Sequence, residues 1–210
     1  RGKETFFKIS SSHFLKSQQF ALQLISENPR YQRINEIYYT LALNSRDYGT
    51  GEETEKFLKL AIKFSKENEL TLYDSQVALA EYYYNNKNYN ESIHYYNDIL
   101  KNTQNEWYGK HLYNASWCLL KERNFRKALE LMIRSFETTK NNRYISMRDQ
   151  ILNAIGIFYV QADSTKDAIV FFEKNITPSS PFLLMLAKSS MNKNNFSETE
   201  DVLRAALRDS

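Results

Sequence analysis

One helical-hairpin pattern is written twice in succession between Leu79 and Phe136, and that repetition constrains the fold more than any other feature of the chain. The first copy reads Leu79-Ala80-x-x-Tyr83, then Tyr89, Ser92, Tyr96 and Ile99. The second reads Ala115-Ser116-x-x-Leu119, then Phe125, Ala128, Met132 and Ser135. Every matching pair is 36 residues apart. A fixed offset of that size marks an array of stacked units, each in contact with its neighbours.

The pattern describes a pair of antiparallel helices. On the first helix a large, a small and another large residue fall at i, i+1 and i+4, and the small one lets a second helix approach closely. A polar break follows, Asn85-Asn86-Lys87-Asn88 in one copy and Lys121-Glu122-Arg123-Asn124 in the other. The second helix then opens with an aromatic residue expected to insert back between the two helices, and Ser92 or Ala128 is expected at their crossing. This arrangement resembles the tetratricopeptide repeat, about 34 residues per unit. The resemblance implies an all-α fold, an α-solenoid of hairpins wound into a right-handed superhelix. It runs through residues 75–175 most clearly and reaches both ends more loosely.

Composition agrees with helices carrying aromatic knobs: five Gly and three Pro against 15 Tyr and 13 Phe in 210 residues. The net charge of +3 is spread evenly, with Lys plus Arg against Asp plus Glu at 11 to 9 over residues 1–70, 9 to 8 over 71–140 and 8 to 8 over 141–210. Nucleic-acid binding needs a phosphate track that this balance does not supply. The densest basic run, Lys121, Arg123, Arg126, Lys127 and Arg134, reads as a solvated turn and outer helix face. A single cysteine, Cys118 among apolar residues, excludes an intrachain disulfide framework and a multi-cysteine metal site. No apolar run approaches the roughly 18 residues needed to span a bilayer. Because the chain begins with Arg1, it reads as a fragment of a longer array, which leaves an upstream signal peptide or membrane anchor open.

In chain order, Phe14 to Ile25, closed by Pro29, reads as the second half of a repeat, with residues 1–12 as the end of its partner helix or a frayed lead-in. The next unit has Tyr38, Leu41, Ala42 and Ser45 on its first helix, and Phe57, Leu58, Ala61, Ile62 and Phe64 on its second. Thr50 or Thr54, followed by glutamates, supplies the helix start between them. After the two clear copies, Ile155-Gly156-x-x-Tyr159 and Ala168-x-x-x-Phe172 restate the pattern 40 residues on, so four extra residues must be absorbed, most naturally in 139–147. Thr165 stands where the earlier copies carry Tyr89 and Phe125, with Ser164 or Thr165 expected to cap that helix. Pro181 suits the first turn of a new helix, and Leu186-Ala187, Phe196, Thr199 and Leu203 form the last unit. Residues 32–208 are thus expected to form five hairpins. Their core is expected to include Leu79, Ala80, Tyr83, Tyr96, Ala115, Phe125, Ala128, Gly156, Tyr159 and Ala168.

The inventory for enzyme chemistry is poor. His13, His94 and His111 fall in different units, and no glycine-rich phosphate loop, HExxH or CxxC occurs. No catalytic residue, metal site or cofactor is assigned, and the chain is expected not to be an enzyme.

In tetratricopeptide proteins the first helices line the concave face. Projecting the register nominates Glu81 and Tyr84, then Tyr113, Trp117 and Leu120, then Asn153, Ile157, Val160 and Gln161 as partner-binding residues, with Lys188 and Met191 extending the stripe. Each aromatic residue there has a second reading as packing between repeats. Only Lys110 and Asn114 fit the clamp by which some members hold an acidic C-terminal peptide. The resemblance therefore implies a non-catalytic scaffold, residues 1–210 forming a single repeat domain that holds a peptide or helix of a partner protein in a larger assembly. The alternative is a regulatory or targeting domain of a multidomain enzyme or secretion machine. Irregular spacing resembles bacterial cell-envelope assembly proteins, while the composition equally suits a cytoplasmic scaffold. No nucleic acid is expected as a partner, and oligomerisation stays open.

Overall fold

The computed structural model describes residues 2–67 and 69–208, with side chains from residue 12 onward. The described residues form eleven α-helices and no strand. Two compact units divide the chain, Arg1–Ile99 and Leu100–Ser210.

The first unit holds α1 (Gly2–Glu27), α2 (Ile34–Tyr48), α3 (Gly51–Phe64), α4 (Leu70–Asn85) and α5 (Tyr89–Ile99). Its hairpins are α2–α3 and α4–α5. Residues 2–12 continue the same helix as Phe14 instead of forming a partner helix, because no Gly or Pro interrupts the chain between Lys3 and Pro29. Phe14 is buried, with its ring 4.8 Å from that of Tyr48. Thr50 caps α3 in a full capping box with Glu53, satisfying two backbone N–H groups that a helix start leaves open. Gly51 stands where α5 has its leading Tyr89. The vacant volume is taken by Tyr82 of α4, whose hydroxyl lies 3.0 Å from where a Cβ on Gly51 would be.

The second unit holds α6 (Tyr108–Lys121), α7 (Phe125–Thr138), α8 (Arg148–Gln161), α9 (Thr165–Asn175), α10 (Ser180–Asn192) and α11 (Phe196–Arg208), paired in sequence as three hairpins. With α2–α3 and α4–α5 these make the five hairpins expected. The extra residues between α7 and α8 form a loop, anchored by Ile145 N–H to the Glu106 carbonyl at 2.9 Å and by the Tyr144 hydroxyl to the Thr103 carbonyl at 3.0 Å. Pro181 sits in the first turn of α10.

Four hairpin turns are built alike. Lys87, Arg123, Asp163 and Asn194 adopt positive φ of 55–62°. The next residue's N–H returns to the carbonyl of the large residue ending the motif in three of them, Tyr83, Leu119 and Tyr159, and to Ser190 in the last. The left-handed residue reverses the chain and closes carbonyls that a helix end leaves open.

The small residues sit at the crossings as expected: Ser92, Ala128 and Ala168 are fully buried. Ser92 Oγ also donates to the Ala80 carbonyl at 2.8 Å, and Ser135 Oγ to the Gly109 carbonyl at 2.7 Å, so the polar crossings bond directly to the facing backbone. Three expectations are corrected. Phe125 and Gly156 are half-buried and not core: Phe125 is the first residue of α7, and Gly156 lines a cleft opposite Leu186 of α10. Phe196 and Leu203 are 66% and 41% exposed, because α11 turns Val202, Ala205 and Ala206 inward instead. Neither Ser164 nor Thr165 caps α9. Thr165 is buried and donates its hydroxyl to Glu198 Oε2 at 2.6 Å, a carboxylate from the next hairpin, where α5 and α7 open with an aromatic ring.

Candidate functional site

The nominated residues fall at −3, +1 and +4 from the small residue of each first helix, with Gln161 at +5, a spacing that keeps them toward one helical face. In the first unit Glu81 is exposed and Tyr84 half-buried. Tyr84 stands edge-on to Tyr89 of its own hairpin, with centroids 5.5 Å apart.

In the second unit the face runs over α6, α8 and α10. Tyr113, Trp117 and Leu120 on α6 are all half-buried. Trp117 lies edge-on to the fully buried Phe158 of α8 at 5.0 Å, and Tyr113 edge-on to Trp117 at 6.2 Å. Trp117 thus joins packing between repeats on one edge and offers its remaining surface outward. On α8, Asn153 and Ile157 are exposed and Gln161 is half-buried. Val160 leaves the nominated set: it is 1% exposed, so its side chain is core, and only its carbonyl is engaged, accepting from Lys193 Nζ at 2.8 Å. Lys188 and Met191 of α10 are exposed. Lys110 and Asn114 are half-buried, and Lys110 Nζ lies 5.2 Å from the centre of the Trp107 ring.

Between α8 and α10 the face opens into a cleft of about 260 Å³. Its floor is Leu152, Gly156, Phe172 and Phe182, and its rim Asn153, Ile157, Met185, Lys188, Ser189 and Asn192. Gly156 helps create it by withholding a side chain opposite Leu186. Register projection found Asn153, Ile157 and Lys188 but missed Met185, Ser189 and Asn192. Those three, with Lys188, form an i, i+3, i+4, i+7 stripe beside the core stripe of α10, a pattern visible in sequence once two stripes are allowed on one helix. A second apolar groove, in the first unit between α1 and α2, is lined by Phe20, Leu24, Tyr31 and Ile37.

Among the groups whose titration is perturbed, His111 and Tyr83 lie away from the cleft. Burial, reinforced by the charge of Lys110, lowers the His111 imidazole from 6.5 to about 4. Burial and the bond to Glu55 push the Tyr83 hydroxyl up to about 12. Among the described residues no group of three or more His, Cys, Asp or Glu is placed to hold a metal ion, and no helix is long and apolar enough to cross a membrane.

No protein-family model and no curated protein matches this sequence. Solved structures do match. BtubC (BKLC) from P. vanneervenii aligns at TM-score 0.58 and 16% identity over 96% of this chain and 90% of its own. A tetratricopeptide repeat protein from Parabacteroides merdae ATCC 43184 aligns at 0.59 and 18%, over 83% of this chain and 66% of its own. YrrB, described as a TPR protein with an unusual peptide-binding site, aligns at 0.58 and 14%, over 90% and 92%. The chain has a tetratricopeptide-repeat-like fold. At these identities the likeness is one of fold, and the tetratricopeptide-like hairpins of this chain keep the small crossing residues while varying the leading aromatic.

Proposed function

We propose that this chain is a non-catalytic scaffold for protein–protein interaction, holding a peptide segment or helix of a partner against its first-helix faces within a larger assembly. Tetratricopeptide-like arrays generally serve as such scaffolds. Here the observation that supports the reading is the face of α6, α8 and α10. Trp117 and Tyr113 present ring surface on the same side as an apolar cleft whose rim leaves Ile157 and Met185 at 37% and 43% exposure, with Met191 of α10 at 55%. Such a patch costs solubility unless something covers it, and aromatic anchors beside a preformed cleft are the usual makings of an interface hot spot. Glu81 of the first unit, with Leu120, Asn153 and Gln161 of the second, would supply flanking contacts.

The test is the double variant Tyr113→Ala with Trp117→Ala, measured against a partner captured from the native host. It should keep its helical content and lose ~2 kcal/mol or more of partner affinity. The outer-face pair Arg123→Ala with Arg126→Ala serves as control and should change neither. A stability loss of about 3–5 kcal/mol with partner affinity retained would assign both rings to packing alone.

A further inference from the structure

α1 carries the register of a second helix but lacks the first helix on which every other second helix packs. The small residue three places after the leading position is buried in each of the others: Thr54, Ser92, Ala128, Ala168 and Thr199. Its counterpart three places after Phe14 is Ser17, and Ser17 is exposed. α2 shows the same gap from the other side. Five residues before the small residue of a first helix, Ser75 and Ile151 are fully buried, whereas Ile37 of α2 is only half-buried. Between Ser17 and Ile37 runs the α1–α2 groove, with Phe20 71% and Leu24 40% exposed along it. Among the described residues the place of a first helix beside α1 is therefore open.

The chemistry of α1 says what fits there. Phe14, Ala21 and Ile25 turn toward α2, where the Phe14 ring meets Tyr48 and the other two pack on the core around Leu41 and Leu58. Ser17, Phe20 and Leu24 form a second stripe at i, i+3 and i+7, apolar and with its small residue leaving room for another helix to approach. Charge then selects which helix. Lys16 and Glu27 are eleven residues apart, three helical turns, and so lie on one flank of Phe20. Lys16 has no hydrogen bond or ion pair among the described residues, and Glu27 accepts there only from Gln23, at 2.7 Å. When two copies of α1 lie antiparallel, this flank meets itself. A register centred between Ala21 and Leu22 sets Lys16 of each copy opposite Glu27 of the other, and Phe20 of each against Leu24 of the other. A parallel pair would instead set Lys16 on Lys16 and Glu27 on Glu27.

We infer that the α1–α2 groove holds α1 of a second copy of this chain, in a twofold dimer where each α1 supplies the helix that the other lacks. The contact is isologous, so one self-complementary face serves both copies. Phe20 and Leu24, with Tyr31 and Ile37 across the groove, supply the apolar surface that drives association. The two ion pairs fix the antiparallel direction, since exposed pairs contribute to specificity more than to affinity. The inference goes beyond the interaction-scaffold reading and stands without it.

The experiment is analytical ultracentrifugation of the full chain over a range of concentrations, with Phe20→Asp, Lys16→Glu and Glu27→Lys run alongside. Wild type should reach twice the 24.8 kDa chain mass as concentration rises. Phe20→Asp should stay monomeric, because its carboxylate would be buried against Leu24 of the second copy. Each charge variant alone should dimerise about tenfold more weakly, as two attractions become two repulsions. Mixed in equal amounts, the two charge variants should form a heterodimer at wild-type affinity, since one copy then presents only acids on that flank and the other only bases. Circular dichroism should show all three variants folded, as the substituted positions are exposed. A wild type that is monomeric at every concentration, or a dimer that keeps its affinity in Phe20→Asp, would overturn the inference and leave the groove to a helix from elsewhere. A mixture that associates no more tightly than either charge variant alone would overturn the antiparallel pairing of α1 with its copy.

Discussion

Both units are built from one hairpin, but the tyrosine cluster around Tyr83 and the face of α8 and α10 dispose of their apolar and aromatic side chains in opposite ways. On α4 and α5 the tyrosines close on one another. Tyr83 stacks on Tyr95 at 5.8 Å, and its hydroxyl donates to Glu55 Oε1 at 2.7 Å. The same oxygen takes Lys59 Nζ at 2.6 Å, which holds Glu55 below the usual carboxylate range and Lys59 above the usual ammonium range. Tyr82 fills the place left by Gly51, and Tyr84 leans on Tyr89. In the second unit α8 and α10 turn Ile157 and Met185 outward at 37% and 43% exposure around a cleft, and Leu184 and Met191 of α10 are each 55% exposed. Abundance of aromatic residues is therefore a poor pointer to a binding face. Apolar side chains left uncovered beside unpaired polar ones are a better one.

The comparison breaks first at the floor of the cleft. If floor and rim are as different as burial makes them, Phe172→Ala should cost about 3–5 kcal/mol in urea unfolding, while Met185→Ala should cost little more than ~0.5 kcal/mol. Equal costs would make the rim part of the core and remove the distinction.

His111 gives the next largest effect, and it belongs to the second unit alone. Its pKa is about 4 folded against 6.5 for an ordinary histidine, so the fold favours the neutral ring. The resulting stability is fully present above pH 6.5 and is lost as pH falls toward 4, by about 3 kcal/mol for a shift of that size. Unfolding free energies at pH 7.5 and 4.5 should show this difference in the wild type. In His111→Leu the His111 share of it should vanish.

The crossings and the tyrosine network come third. Ala128 is fully buried where α7 crosses α6, so Ala128→Leu should overpack it at about 1–3 kcal/mol, read as a lower urea midpoint. Tyr83→Phe removes one bond to a charged and partly exposed acceptor, and ~1 kcal/mol is the expected loss. A null result at Tyr83 would show that the closed network of the first unit is geometric only.

These effects also mark how much was legible in advance. The hairpins, their order and the crossings at Ser92, Ala128 and Ala168 follow from the spacing of large and small residues, because close helix approach tolerates so few alternatives. The spacing cannot say how a unit compensates when a pattern residue is missing. Gly51 is rescued by Tyr82 and Thr165 by Glu198, both from a neighbouring hairpin, and neither exchange has a fixed offset. The left-handed turn residues were equally hidden, since Lys87 and Arg123 lack the glycine that usually announces positive φ. Replacing either with Gly should change stability by no more than about 1 kcal/mol, as relief of left-handed strain is offset by a freer unfolded chain. For the candidate face, projection from the small residue finds the side chains above the helix axis. It misjudged Val160, which the neighbouring helix covers, and overlooked Met185 and Asn192, which become neighbours of Asn153 and Ile157 only once α10 packs on α8.

The most direct test of the account is hydrogen–deuterium exchange on the full chain, free and saturated with the partner captured from the native host. New protection should fall on residues 148–161 and 180–192, with a smaller change over 108–121, while 125–138, 165–175 and 196–208 exchange as before. Protection gained chiefly along those last three segments, the second helices, would contradict it.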